Sequence, residues 1–391
     1  MKILSLVAAL IFISLNLISC SENISSVGGG LVNQSKFTVA DTSLIATGDS
    51  TFHSNIANGS GYYNLVGAAN SVEAKTLLNF IGLSVGDGDT LSSVQLATCE
   101  MQLHVGYLWN MSSTAQQFEI HEILTPWTAT IPIDSSDNIS FSPTVCGTIN
   151  QIIADTSTII VNLDTSEVRK WITALTDSTA PPFYGFAIMP QPGATNTGIW
   201  GFVTFNALTS SSPLLRIRYT KNGVEDSVSF SYGNDTFLAK NSSALLPSLI
   251  DVQAGVGRRS KITFDLSSLV KQSFINNASL ELTLNPQSAH GTSTPDSVAV
   301  LLIINSQYPD TINGSYYYYG KRKDTTQTAN PVYSIPLSTF AQLWVNNTYA
   351  NDGILLEASG ENSSVDRYVF YSSHDPDPAK RPVLHLTYTK K

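Results

Sequence analysis

Between Leu163 and Lys221 the chain lays out a helix, a glycine-led strand, a second strand and a closing strand, and near its end it repeats that plan. In the first copy Asp164 stands at the N-cap with Glu167 three residues on, and Val168, Trp171, Ile172 and Leu175 fall at helical spacing on one apolar face. YGFAIMP, WGFVTF and PLLRIRYTK follow, the last turning Leu215, Ile217 and Tyr219 to one side. In the second copy Ser338 takes the cap, and Phe340, Leu343 and Trp344 make the apolar face. DGILLEAS, DRYVFYSS and PVLHLTYTK then return in the same order. Trp171 and Trp344 are 173 residues apart, Gly185 and Gly353 168, and Pro213 and Pro382 169. A near-constant offset this long means two tandem domains, because solenoid units are about 20 to 50 residues.

The match extends upstream. IDVQAG echoes NLVGA, SKITFDLSSL echoes AKTLLNFIGL, and Asp235–Thr236 echo Asp41–Thr42. NNASLELTL echoes the strand in which Cys99, Met101, Leu103 and Val105 alternate with polar residues. Short strands with a single short helix per copy predict an all-β chain of two tandem antiparallel β-sandwich, jelly-roll-like domains, spanning 36–221 and 222–391. The 391 residues suffice for two cores at about 150 residues each. A net charge of −9, with only 13% charged residues, gives no support to a general nucleic-acid surface.

Residues 1–19 read as a signal peptide: Lys2, then an apolar run from Ile3 to Ile18 that is short against the roughly 20 residues a membrane span needs. Leu17–Ile18–Ser19–Cys20 resembles the lipobox of bacterial lipoproteins, which implies lipidation of Cys20 and a lipid-anchored place in the cell envelope. Ser21 after the cysteine is compatible with the outer membrane of a Gram-negative bacterium. Residues 20–35, with Gly28, Gly29 and Gly30, form a tether with a reach of about 20 Å.

None of the common nucleophile, zinc or phosphate-loop motifs occurs, so no enzyme, cofactor or metal is expected. His121–Glu122 and His374–Asp375 read as surface polar pairs, and Asp87, Asp89, Asp375 and Asp377 as turn residues. Cys99 and Cys146 are either a disulfide, which an oxidising envelope allows, or two inert thiols. The stretch most suited to a ligand is YYYYGKRK. Tyr316 and Tyr318 would stack on sugar rings while Lys321, Arg322 and Lys323 meet carboxylates of an acidic polysaccharide. The same letters also describe a solvated hairpin with two tyrosines in and two out. Arg258, Arg259 and Lys261 read as solvated edge charges.

AKTLLNFIGL, SSVQLATCEMQLHV, HEILTPW, VNLDTSEVRKWI and PLLRIRY resemble the DNRLRE-type domains, which are related to disaggregatase repeats and to carbohydrate-binding modules for alginate-like polysaccharides. SKITFDLSSL, LSTFAQLW and YVFYSSHDPDPAKRPVLHLTY carry the resemblance in the second copy. It implies a non-catalytic envelope lipoprotein that binds polysaccharide. The competing readings are a structural or adhesive surface protein with protein partners, and a polysaccharide lyase or hydrolase whose groups converge only in three dimensions.

Overall fold

A computed structural model of the chain describes residues 37–82, 90–269, 271, 273–291, 297–323 and 330–390. The signal peptide, Cys20 and the tether lie outside the described residues, as do Asp87 and Asp89. β1 (Thr38–Ile45) and β2 (Gly48–His53) open the described chain. One antiparallel sheet is made by β3 (Tyr63–Ala69), β4 (Val72–Phe80), β5 (Gln95–Trp109), β6 (Gln116–Ile123), β7 (Phe141–Gln151), β8 (Thr158–Leu163), β9 (Phe186–Pro190), β10 (Gly198–Val203), β11 (Leu214–Lys221), β12 (Val224–Phe230) and β13 (Gly233–Asn241). The other contains β1 and β2 with β14 (Leu249–Gln253), β15 (Arg258–Thr263), β16 (Phe274–Thr283), β17 (Ser297–Ile303), β18 (Ile312–Arg322), β19 (Val332–Pro336), β20 (Ile354–Ala358), β21 (Arg367–Tyr371) and β22 (Val383–Lys390). Both sheets curl around their own apolar core, giving the two all-β sandwiches that the repeat predicts.

The sheets do not divide at Lys221. β1 runs along β22 from Thr38 opposite Lys390 to Ile45 opposite Val383, and β2 lies on β15. Reciprocally, β12 folds back on β11, and β13 covers β4 from Gly233 opposite Phe80 to Asn241 opposite Val72. The first two strands of each sequence repeat therefore complete the other repeat's sheet. The first unit is 63–241; the second is 38–53 with 249–390. The local cause is the turn Asn222–Gly223, with φ of 53° and 78°, the pair of left-handed residues that a two-residue hairpin needs to send β12 back along β11. At the matching place in the second unit stand Thr38 and Lys390, the open ends of β1 and β22.

The duplication survives in atomic detail. Gly185 and Gly353 have φ of +110° and +95°, and a Cβ on either would lie 2.4 Å from the Leu78 carbonyl oxygen or 2.5 Å from that of Ile262. Leu78 and Ile262 are thus equivalent, and so are Phe80 and Phe264 two residues on. Extending these registers matches Asp235 with Asp49, correcting the expected match to Asp41. Each carboxylate crosses to the other repeat and accepts a backbone N–H just beyond the third strand over in that sheet: Asp235 takes Phe205 N–H at 2.7 Å, and Asp49 takes Ser373 N–H at 2.6 Å.

α1 (Thr165–Thr176) is capped by Asp164, which accepts the Ser166 N–H at 2.7 Å, and it buries Val168, Trp171 and Ile172, while Leu175 is exposed. Trp171 donates its indole N–H to the Phe80 carbonyl at 3.1 Å. In α2 (Ser338–Val345) Trp344 is likewise buried, but the equivalent Phe264 carbonyl is taken by Asn351 at 2.7 Å. Ser338 does not cap α2. Leu337 holds that position, and the Ser338 hydroxyl instead accepts the Ala278 N–H at 2.8 Å, tying the helix to β16. Cys99 and Cys146 are two free thiols and not the expected disulfide. Cys99 points from β5 into the core, and Cys146 lies 4.0 Å from Glu167 Oε2; burial pushes each thiol up to about 12, so both stay protonated and inert.

A third apolar cluster joins the units: Leu65, Tyr107, Trp109 and Phe237 from the first pack with Val256 and Val365 of the second. Within it the Tyr107 hydroxyl donates to Asp366 Oδ1 at 2.7 Å and accepts the Val365 N–H at 3.1 Å. Tyr107 and Trp109 are therefore interior residues.

Removing residues 37–53 uncovers β15 and β22 and deletes Asp49. Calorimetry is expected to lose the second unit's unfolding transition while the first unit's persists; a single unchanged transition would show that the exchange is dispensable. Asp235 supplies a second test. Burial pushes its carboxyl up to about 7, against the Phe205 N–H and Asn64, which favour the charged form. The folded protein then holds this proton to higher pH than the unfolded chain, so between about pH 4 and pH 7 the group removes up to about 4 kcal/mol of stability as pH rises. Asp235→Asn should abolish that component of the pH slope in thermal denaturation and unfold at higher temperature than the parent above pH 7.

Candidate functional site

Strand alternation on β18 separates the four tyrosines into two pairs. Tyr316 and Tyr318 turn inward: Tyr318 packs on Phe340, ring centroids 5.3 Å apart, and shares a 2.7 Å hydrogen bond with Thr339, while Tyr316 meets Tyr349. Tyr317 and Tyr319 are 51% and 53% exposed, their centroids 5.6 Å apart with the rings nearly perpendicular. The expected ligand tyrosines are thus the structural ones, and their neighbours face solvent. The basic run is divided in the same way. Lys321 shares the outer face with Tyr317 and Tyr319; Arg322 lies half-buried on the opposite side; Lys323 is ion-paired to Glu281 at 2.7 Å. These three cations do not converge.

The neighbouring strands extend the outer face. Tyr319 is opposite Ala299 on β17, which is opposite Glu357 on β20, and Arg259 on β15 is opposite Phe52 on β2. Tyr317, Leu301, Leu355, Lys261 and Ser50 form the next row. Ala299, Leu301, Ile303 and Leu355 make a small apolar floor with Phe52 and Ile312. Beside it opens a cleft of about 530 Å³ lined by Tyr319, Arg259, Glu357, Glu361 and Asn362.

β15 is an interior strand, so its basic residues are not the solvated edge charges expected. Arg258 is buried and pairs with Asp251 at 2.9 Å, which also binds Arg367 at 2.7 Å. Arg259 meets three carboxylates: Glu361 through a two-pronged contact of 2.7 and 2.5 Å, Asp310 at 3.1 Å and Glu357 at 3.2 Å. Burial works against its charge, but the bonds from Glu361 and the surrounding carboxylates prevail and hold the guanidinium above its usual range. Glu357 goes the other way. Burial and then Glu361 push it up to about 7 despite Arg259, so it titrates near neutrality.

Among the described residues, the first unit has no counterpart of the exposed tyrosine pair on this face. Val145 and Thr148 stand where the second has Tyr317 and Tyr319, and Trp127 with Phe141 packs over part of the face. Trp127 donates to the Tyr184 carbonyl at 2.7 Å, a structural role. His121 is buried between the Ser142 carbonyl at 2.9 Å and Glu119 at 3.1 Å, and His374 contacts Ser373 Oγ at 2.9 Å. Asp375 and Asp377 accept backbone N–H groups of their own turn, at 2.9 and 3.1 Å. No family model, curated protein or solved structure matches the chain.

Tyr317, Tyr319, Glu357 and Glu361 escaped sequence reasoning. Alternation separates odd from even tyrosines, but only the position of the core says which pair is outside. The salt-bridge cluster predicts its own energetics. Arg259→Ala leaves three carboxylates in a partly enclosed cleft and should cost about 3 kcal/mol in denaturant unfolding, and adding Glu357→Gln should restore part of the loss.

Proposed function

We propose that the chain is a non-catalytic, lipid-anchored envelope protein that binds a polysaccharide on the outer face of its second unit. The observation that carries this reading is the exposed Tyr317–Tyr319 pair beside a cleft whose polar groups are already held in place. Tyrosine presents a broad apolar ring at low entropic cost, and fixed carboxylates and amides beside it suit the hydroxyl pattern of a sugar. The cleft favours a neutral glycan. Its only guanidinium is fully engaged by Glu361, Asp310 and Glu357, so an incoming carboxylate would meet acid groups in excess of base. The resemblance to DNRLRE-type domains and the lipobox-like Cys20 support the same reading from the sequence side.

A hydrolase would draw on Glu357 and Glu361 as its acid and base, but Glu361 gives both oxygens to Arg259 and is poorly placed to accept a proton. Binding without turnover is the simpler use of the face.

Affinity electrophoresis against neutral and acidic polysaccharides tests the proposal. Retardation by a neutral glycan should fall about tenfold or more in Tyr317→Ala and Tyr319→Ala with the melting temperature within about 2 °C of the parent. Tyr318→Ala should do the reverse, costing about 2 kcal/mol of stability with binding intact. Retardation by no glycan, or indifference to both exposed tyrosines, would remove the reading.

A further inference from the structure

The position of Arg259 is held in the first unit by Lys75, and there the surroundings are reversed. The registers that match Leu78 with Ile262 match Lys75 with Arg259 and Met189 with Glu357, so the apposed carboxylate is replaced by a thioether. Lys75 is half-buried, and among the described residues its ammonium makes no ion pair and no hydrogen bond; it lies over the Phe141 ring, 5.2 Å from the ring centroid. It lines a cleft of about 570 Å³ with Lys240, Asn70, Ser71 and Ser242, and with the carboxylates of Glu73 and Asp137. Lys240 is paired with Asp137 at 2.5 Å, but the two side chains are 45% and 82% exposed, a surface pair worth little and readily exchanged.

We propose that this cleft is an anion site, in which Lys75 and Lys240 together take a carboxylate or sulfate group, with Ser71 and Ser242 at its rim. Asp137 is the placeholder that the ligand displaces from Lys240. The charged groups acting on Lys75 are Glu73 and Asp137, which favour its charge, and Lys240, which opposes it. Burial is the largest influence and lowers the Lys75 pKa. An unpaired, half-buried ammonium contributes nothing to packing that a methionine would not, since the strand on either side is already satisfied by β13 and β9. Lys240, a second charge of the same sign in the same cleft, adds to that cost, and an anion bound between the two lysines would offset it where Glu73 and Asp137 leave Lys75 without a direct partner. This site is independent of the tyrosine face and differs from it in ligand class: the second unit's cleft ties its cation to three carboxylates, whereas in the first the exposed Asp137 pairs with Lys240, and Lys75 has no ion pair among the described residues.

Isothermal titration calorimetry on the full chain in detergent tests the site with three probes: a short uronic-acid oligomer, the same oligomer with its carboxyls reduced, and inorganic sulfate. The uronate oligomer, sulfate or both should bind, more weakly as salt rises from about 50 to about 500 mM, and the reduced oligomer should not bind at this cleft. Which probe binds distinguishes a polymer's carboxylate from a free oxyanion. Lys75→Met and Lys240→Met should each weaken binding about tenfold, and Lys75→Met should melt at or above the parent temperature, the mark of a residue retained at a cost to stability. Tyr319→Ala should leave anion binding unchanged, so failure here and failure of the neutral-glycan reading are separable. Absence of binding by both anions, or anion binding of undiminished strength in Lys75→Met, overturns the proposal.

Discussion

Antiparallel hydrogen bonding between the two ends of the chain is the constraint on which the rest of the structure depends. β1 and β22 are separated by more than 300 residues in sequence, yet Thr38 to Ile45 face Lys390 to Val383 without interruption. Without β1 and β2, β22 and β15 would each present an unpaired strand edge, which is a site for aggregation. The first unit solves the same problem locally with a hairpin at Asn222–Gly223. The second solves it with the other terminus, so folding of the second unit waits on a long-range closure.

That exchange also binds the units into one body. Asp49 and Asp235 sit on the exchanged strands and each anchors a backbone N–H in the repeat it has crossed to. The shared apolar cluster with the Tyr107–Asp366 hydrogen bond lies between the units, where burial keeps the phenol protonated and able to donate. β2 then supplies Phe52 to the apolar floor beside the tyrosine face, so the proposed binding surface is itself a product of the crossover.

After duplication one position kept a cation and changed its meaning. Arg259 is surrounded by carboxylates, and its planar guanidinium can bridge all three at once, which a lysine ammonium does less well. Lys75 faces a thioether position and an aromatic ring, a setting in which the charge is stabilised weakly. A shared backbone thus presents different electrostatic settings at equivalent places, the basis of the two ligand classes proposed for the two units.

Local pattern was enough to read the duplication, the strand alternation of Met101, Leu103 and Val105 or of Leu280, Leu282 and Leu284, the capping of α1 by Asp164 and the all-β architecture. Each depends on neighbours within a few residues, where spacing alone says which side chains share a face. The partners of Arg259, the outward turn of Tyr317 and Tyr319, the crossing of Asp49 and Asp235 and the free state of Cys99 and Cys146 were settled only by tertiary structure. In every one of these the deciding contact comes from a strand or loop distant in sequence, and a period-two pattern reads the same whichever of its faces the core occupies.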